Sequence, residues 1–358
     1  MNAQKFAEIL LNWWKDNKRD LPWKKDRDPY KIWLSEIILQ QTRVSQGTPY
    51  FHKFLLEYPD IDSLATASTN QVMKTWQGLG YYSRARNLHH TAREIVSTYN
   101  SVFPDSYEKI IRLKGIGSYT AAAIVSFAYE LPYAVVDGNV IRLISRIKGI
   151  MEPVDRVPIK KKIDQFVDDA IKFALPSEFN QAIMDFGATV CVPGNPSCQN
   201  CPFYTYCVAG QNETAREIPV KSKKNERKTR YFHYFEISDI QGKTIIQQRI
   251  EKDIWKTLYQ FPVIETNSDL CPDILDIKTM FTEATGKEPS PHFDPEKIVV
   301  LKQILTHRNI VGTFYRIKSI ELPKEINNQY CLVDRQKVSN FAFPKIMISY
   351  FAEFCKIH

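Results

Sequence analysis

The chain has 358 residues, 44% of them hydrophobic and 25% charged, with a formal net charge of +8 at pH 7. That is the composition of an ordinary globular protein too long for one typical core, so two domains are expected. It excludes a low-complexity or fibrous chain, while the basic excess suits a polyanionic partner.

Taken in order, residues 1–212 carry helical patterning. Phe6, Ile9, Leu10 and Trp13 recur at helical spacing, and the N-terminus shows no signal-peptide apolar core. Asp28-Pro29 then opens a second helix, with Asp as N-cap and Pro at the first helical position. That helix is expected from Tyr30 to about Val44. Further helical stretches are expected near 62–76, 84–98, 106–113, 119–129, 138–147, 158–174 and 177–190, with Pro59, Pro104, Pro132 and Pro176 near the breaks. The longest apolar stretch, 120–136, is interrupted by Glu130 and Pro132 and is too short to span a bilayer.

The helical part closes on Cys191, Cys198, Cys201 and Cys207, spaced C-x6-C-x2-C-x5-C. Four thiolates this close together can surround one soft metal centre. Zinc modules usually pair two C-x2-C knuckles, and only one is present. The unequal gaps suit the corners of a [4Fe–4S] cubane better, with structural zinc as the competing occupant. The other cysteines, Cys271, Cys331 and Cys355, are scattered and odd in number, which points to a reducing compartment and a cytoplasmic protein. Residues 213–229 are polar and strongly basic and read as an interdomain linker. From residue 230 the pattern becomes α+β. Tyr231–Ile237 and Lys243–Arg249 flank a Gln241-Gly242 turn, and β-branched runs follow at 297–304, 310–320 and 330–333.

Three short segments carry chemistry. In Leu113-Lys114-Gly115-Ile116-Gly117-Ser118-Tyr119-Thr120-Ala121, two glycines permit a sharp turn between helices, and the next helix presents unpaired N–H groups to an anion. An ordinary glycine-containing corner would look the same. Glu36 and Gln40 share one face of a heavily apolar helix, where burial would raise a carboxyl pKa into the range of a general acid; taken alone, such a glutamate is more often solvated. Val135-Val136-Asp137-Gly138-Asn139 delivers Asp137 to a helix start, where it serves as a plain N-cap and backbone amides favour its anion.

Together these elements resemble the endonuclease III superfamily of DNA glycosylases, and more specifically MutY-type adenine DNA glycosylases. The resemblance runs through Leu21-Pro22-Trp23, Leu34-Ser35-Glu36, Leu39-Gln40-Gln41-Thr42, Gly78-Leu79-Gly80-Tyr81-Tyr82, the glycine-hinged turn, Val136-Asp137-Gly138-Asn139, Phe179-Asn180-Gln181 and the cysteine loop. It implies a mainly α helix-hairpin-helix glycosylase domain (1–212) with a [4Fe–4S] loop, the linker, and an α+β Nudix-like domain (230–358) that reads 8-oxoguanine. It also implies a monofunctional enzyme that excises adenine opposite 8-oxoguanine, and secondarily opposite guanine, from double-stranded DNA. The protein would be a monomer of the bacterial cytoplasm or nucleoid, with no membrane association.

In that family's terms Glu36 protonates adenine N7 and Asp137 stabilises or captures the sugar cation. Tyr119 and Asn139 shape the site, Gln181 contacts the flipped base, and Gln41 and Tyr81 wedge into the stack. Gly115, Gly117 and Ser118 hold a phosphate, and Cys201–Cys207 forms a basic-flanked loop facing phosphate. Bifunctional relatives carry a lysine nucleophile where this chain has Tyr119, so no amine is expected within reach; a bifunctional pyrimidine-damage glycosylase/lyase is the alternative. The second domain departs further from the family. Its Phe-Ser-His recognition tip reads Leu305-Thr306-His307, leaving Thr306 and His307 as contacts, and 263–290 lacks the Nudix hydrolase box, implying no nucleotide hydrolysis.

Overall fold

The computed structural model describes residues 1–222, 226–291, 293–319, 321–323 and 326–355. They form two compact units. One comprises residues 1–66 and 87–222; the other comprises 67–86 and the described residues from 226 onward. This differs from a simple division into 1–212 and 230–358, because 67–86 packs with the C-terminal unit.

In the first unit the helices are α1 (Ala3–Lys15), α2 (Pro29–Leu39), α3 (Val44–Glu57) and α4 (Ile61–Thr66). A short α5 (Thr69–Thr75) belongs to the second unit, and α6 (Ser83–Tyr99) begins there and continues into the first. Next come α7 (Tyr107–Ile110), α8 (Ser118–Tyr129), α9 (Gly138–Lys148), α10 (Val157–Ile171), α11 (Pro176–Thr189) and α12 (Val208–Gln211). Phe6, Leu10 and Trp14 turn one face of α1 into a core shared with α10 and α11, where Phe6 stacks on Phe203 at 5.1 Å. Asp28 caps α2 through the Tyr30 amide with Pro29 at the first position, as the sequence pattern implies.

Several elements depart from that pattern. Helix α2 stops at Leu39 because Gln40 turns to ψ 115° and Gln41 takes φ +58°. A separate helix, α3, follows; Gly47 and Pro49 inside it mask its periodicity. The stretch 62–76 is two helices, parted where Ser68 and Gln71 form a capping box. The expected linker is not wholly a tether either. Ala215 and Ile218 are buried, the Val154 amide donates to Val220 O, and the Ser222 amide donates to Asp155. Residues 223–225 of that linker lie outside the described residues.

The second unit holds a seven-stranded sheet of order β3-β2-β1-β6-β5, with β4 on β1 and β7 on β2. Its strands are β1 (Lys228–Asp239), β2 (Lys243–Gln248), β3 (Tyr259–Gln260), β4 (Val263–Thr266), β5 (Glu296–Ile304), β6 (Arg308–Ser319) and β7 (Tyr330–Asp334). The expected hairpin is β1–β2, turning at Gly242 with φ +79°. Strands β1 and β6 pair in parallel, from Lys228 opposite Arg308 to Asp239 opposite Ser319. Residue 320 of the expected run 310–320 lies outside the described residues. Helix α13 (Ile274–Thr285), capped by Asp273, covers one sheet face with Ile277, Met280 and Phe281. On the other face Tyr234 stacks on Phe314, and Phe314 on Tyr350 of α14 (Lys345–Tyr350). The buried Glu236 accepts from Arg316 and Tyr350 there.

Residues 67–86 are bound into this unit by named contacts. The Phe343 amide donates to Gln77, the Tyr82 hydroxyl to Phe343 O, and Arg86 to Lys256 O at 2.7 Å. Among the described residues no helix is long and apolar enough to cross a membrane. A chain cut after residue 222 leaves the buried Val72, Met73 and Trp76 of this segment without their cover. That fragment is expected to unfold at a lower temperature than the full chain and to bind a hydrophobic dye; unchanged melting by circular dichroism would count against the interleaved packing.

Candidate active site

Residues 32–38 of α2 are buried without exception, as are 120–126 of α8. Helices apolar on every side are held by neighbours all round, and α2 packs directly on α8. Glu36 is therefore carried inward, 5% exposed. It lines a cavity of about 840 Å³ that also receives Tyr119, Asp137, Asn139 and Gln181, so four helices bring the expected site residues into one place. Burial raises the Glu36 pKa to about 7, and the nearby Asp137 pushes the same way; the Tyr119 hydrogen bond and the Lys24 charge pull against them. The Tyr119 hydroxyl also lies 3.7 Å from the Met184 sulfur.

Asp137 is the N-cap of α9. Its Oδ1 accepts from the Asn139 and Val140 amides at 2.8 Å, and its Oδ2 accepts from the Asn139 side chain at 2.7 Å. Asn139 is in turn held by Arg142, which also donates to Gly187 O at 2.6 Å and to Cys191 O at 2.7 Å. A Cβ on Gly187 would fall 2.8 Å from that of Asn139, so only glycine lets α11 approach this closely.

Sequence reasoning missed a second polar group. Asp185 is fully buried and accepts from Trp14 Nε1 and Arg19 Nε, and from Lys24 Nζ through both of its oxygens. Burial alone would raise its pKa, but Lys24, Trp14 and Arg19 together bring it below the ordinary carboxylate value. For Lys24, burial outweighs the pairing and lowers the pKa. An amine thus does line the cavity, contrary to the expectation of none within reach, but Asp185 grips it through both oxygens. The signal was present in α11: Gln181, Met184 and Asp185 share a face at i, i+3 and i+4.

The remaining expected contacts lie elsewhere. Gln41 is exposed at the α2–α3 break, between the cavity-lining Leu39 and Thr42. Gly115 adopts φ +82°, and a Cβ there would meet Asn87 at 2.6 Å. Gly117 precedes α8 with no side-chain cap, and Gly117 and Ser118 are exposed at the helix start, while Thr120 and Ala121 are already buried. In the second unit Thr306 and His307 form the exposed tip of the β5–β6 hairpin, and the Tyr81 and Thr306 hydroxyls hydrogen-bond one another.

Cys191, Cys198, Cys201 and Cys207 form no disulfide and line one small, apolar cavity. Burial and the neighbouring cysteines push the Cys201 pKa up to about 12. Arg146 donates to Cys191 Sγ and the Gly210 amide to Cys207 Sγ, both at 3.3 Å. Among the described residues no His, Cys, Asp or Glu group converges tightly enough to hold a single ion. The four cysteines line one space, and their all-thiol donor set suits a soft metal centre. The expected basic flank is absent: from 191 to 215 the chain has no Lys or Arg, and the loop exposes Tyr204 and Tyr206 instead.

Residues 34–168 match the family model described as HhH-GPD superfamily base excision DNA repair protein. An adenine DNA glycosylase of Buchnera aphidicola subsp. Schizaphis graminum is 37% identical over 91% of this chain and 98% of its own length. Among solved structures, a thermostable thymine-DNA glycosylase is similar with TM-score 0.54 and 27% identity, over 59% of this chain and 97% of its own. A non-covalent endonuclease III–DNA complex is similar with TM-score 0.51 and 18% identity, over 60% and 99%, a likeness of fold alone. Fold and site thus define a helix-hairpin-helix DNA N-glycosylase. Within that superfamily the chain belongs to the adenine DNA glycosylase family.

A carboxyl group with its pKa raised from 4.5 to about 7 destabilises the fold as it ionises. The loss begins above pH 4.5, is complete above about 7, and amounts to about 3 kcal/mol. Glu36→Gln is accordingly expected to raise the unfolding temperature at pH 8, with the gain vanishing near pH 4. Equal melting of variant and wild type at pH 8 would contradict a buried, ionisable Glu36.

Proposed function

We propose that this protein excises adenine from 8-oxoguanine:adenine pairs, and secondarily from guanine:adenine pairs, by hydrolysis of the N-glycosidic bond. The observation that carries the proposal is the pairing of Glu36, half protonated near neutrality, with the hydrogen-bonded Asp137 across one cavity. The adenine flips from the duplex into that cavity. Glu36 gives its proton to N7; the C1′–N9 bond breaks and its electron pair stays with the departing neutral base. Asp137, held by three donors that suit an anion, faces the oxocarbenium-like sugar and stabilises or captures it until water adds. The ionised Glu36 then takes up the water's proton. Tyr119 and Asn139 orient the two carboxyls and Gln181 contacts the base.

Gln41 and the first turn of α8, with Gly115, Gly117 and Ser118, serve the opened duplex and its phosphate. The second unit is read as a Nudix-like lesion reader. 8-Oxoguanine carries an N7–H donor and a C8 carbonyl where guanine offers N7 as an acceptor. The Tyr81 and Thr306 hydroxyls and His307 have the chemistry to sense that difference. Cys191, Cys198, Cys201 and Cys207 would hold a [4Fe–4S] cluster, which when bound supplies a covalent staple for the loop. Arg142 and Arg146 fasten that loop to the helix bearing Asp137.

Strand scission by a Schiff base is disfavoured, because Tyr119 stands where the bifunctional relatives carry their lysine nucleophile, and the buried cavity amine, Lys24, is engaged by both oxygens of Asp185. Incubation with 8-oxoguanine:adenine duplex, worked up with and without alkali, is expected to show breaks only after alkali. Abundant breaks without alkali, with borohydride-trapped adducts, would favour a bifunctional enzyme. Asp137→Asn should lower single-turnover excision at least a hundredfold with duplex affinity nearly unchanged. Excision by wild type should fall as pH rises through about 7, where Glu36 loses its proton; activity that persists undiminished to pH 9 would remove Glu36 as the acid. Cys198→Ser should reduce folded yield and brown colour together.

A further inference from the structure

Glu130 is a left-handed residue that is not glycine. It ends α8 with φ +54° and ψ +33°, and the Leu131 amide returns to Val125 O at 3.1 Å. Helices that stop this way usually place glycine there, since a side chain is strained in that conformation. A strained residue persists where its side chain is needed.

The Glu130 carboxylate is fully engaged. One oxygen accepts from the Ser177 amide at 3.0 Å; the other accepts from the Ser177 hydroxyl at 2.7 Å and pairs with Arg27 at 2.9 Å. Ser177 lies in the first turn of α11, whose own N-cap position, Leu175, supplies no capping side chain. Glu130 therefore caps α11 from outside the helix, placing a negative charge at its positive end. Helix α11 bears Gln181, Met184 and Asp185 on the cavity wall. Arg27, Glu130 and Ser177 line the same cavity, and the Arg27 side chain is 67% exposed, so the pair stands at its solvent end.

We propose that Glu130 is a positioning residue of the base pocket: it clamps the first turn of α11 against α8 and, through Arg27, straps the loop preceding α2 to the same rim. This rests on the adenine-excision reading above. The strain is retained because a glycine would stop α8 equally well but leave α11 free to shift, moving Gln181 against the base. A misplacement of about 1 Å is enough to slow a reaction by an order of magnitude or more.

The test uses the full-length holoprotein with Glu130→Gly and Glu130→Gln. In Glu130→Gly, relieved left-handed strain offsets the lost cap, so the unfolding temperature should stay within about 2 °C of wild type. Single-turnover adenine release from an 8-oxoguanine:adenine duplex should fall about tenfold with duplex affinity kept. Amide hydrogen exchange at Ser177–Gln181 should quicken. Glu130→Gln keeps an acceptor for Ser177 and should restore the exchange protection and recover the rate to within about threefold. Wild-type rate and exchange in Glu130→Gly would overturn the proposal. So would a fall in melting temperature that accounts for the whole rate loss through a smaller folded fraction, which would make Glu130 only a structural cap. If wild type itself released no adenine, the excision reading would fail, while exchange at Ser177–Gln181 would still decide the clamp.

Discussion

The helical unit depends on keeping one carboxyl group out of water. Glu36 reaches the cavity from a helix buried on all sides, and the apolar matter that holds the helix also denies the carboxylate its solvation. Core packing and acid strength therefore have the same cause. A looser α2–α8 contact would admit water and lower the pKa before it unfolded anything. Tyr119 and Lys24 temper the shift, leaving the group poised near neutrality rather than permanently protonated.

Helix α9 ties this arrangement to the cysteine loop. Asp137 stands at its start, and Arg142 and Arg146 leave it one turn apart to reach the backbone and sulfur of Cys191. Both guanidiniums are buried and satisfied largely by carbonyl oxygens, so each fixes the distance between elements remote in the chain. The loop that holds the thiols and the turn that holds the Asp137 carboxylate share one rigid strut.

Much of this was readable beforehand, and for physical reasons. Asp28-Pro29 and Asp137 are local capping signals, complete within four residues, and the Gln241-Gly242 hairpin is equally local. The convergence of Glu36 and Asp137 was legible only through their resemblance to a known set of motifs. What escaped depends on contacts distant in sequence. Asp185 finds Trp14, Arg19 and Lys24 more than 160 residues away. Ala215 and Ile218 bury themselves in a segment whose charge suggested a solvated tether. Helix α3 hid behind Gly47 and Pro49, whose cost is met by Phe51 and Phe54 in the core.

The interleaved division of the chain bears on how it is made. Residues 67–86 leave the ribosome well before the rest of their unit, separated by roughly 140 residues, or about 10–30 s of synthesis at ordinary elongation rates. During that interval the segment lacks the remainder of its unit. The first half of the nascent chain thus waits, with a greasy segment uncovered, for its second half to emerge, and the order of translation sets a window in which a chaperone has something to hold.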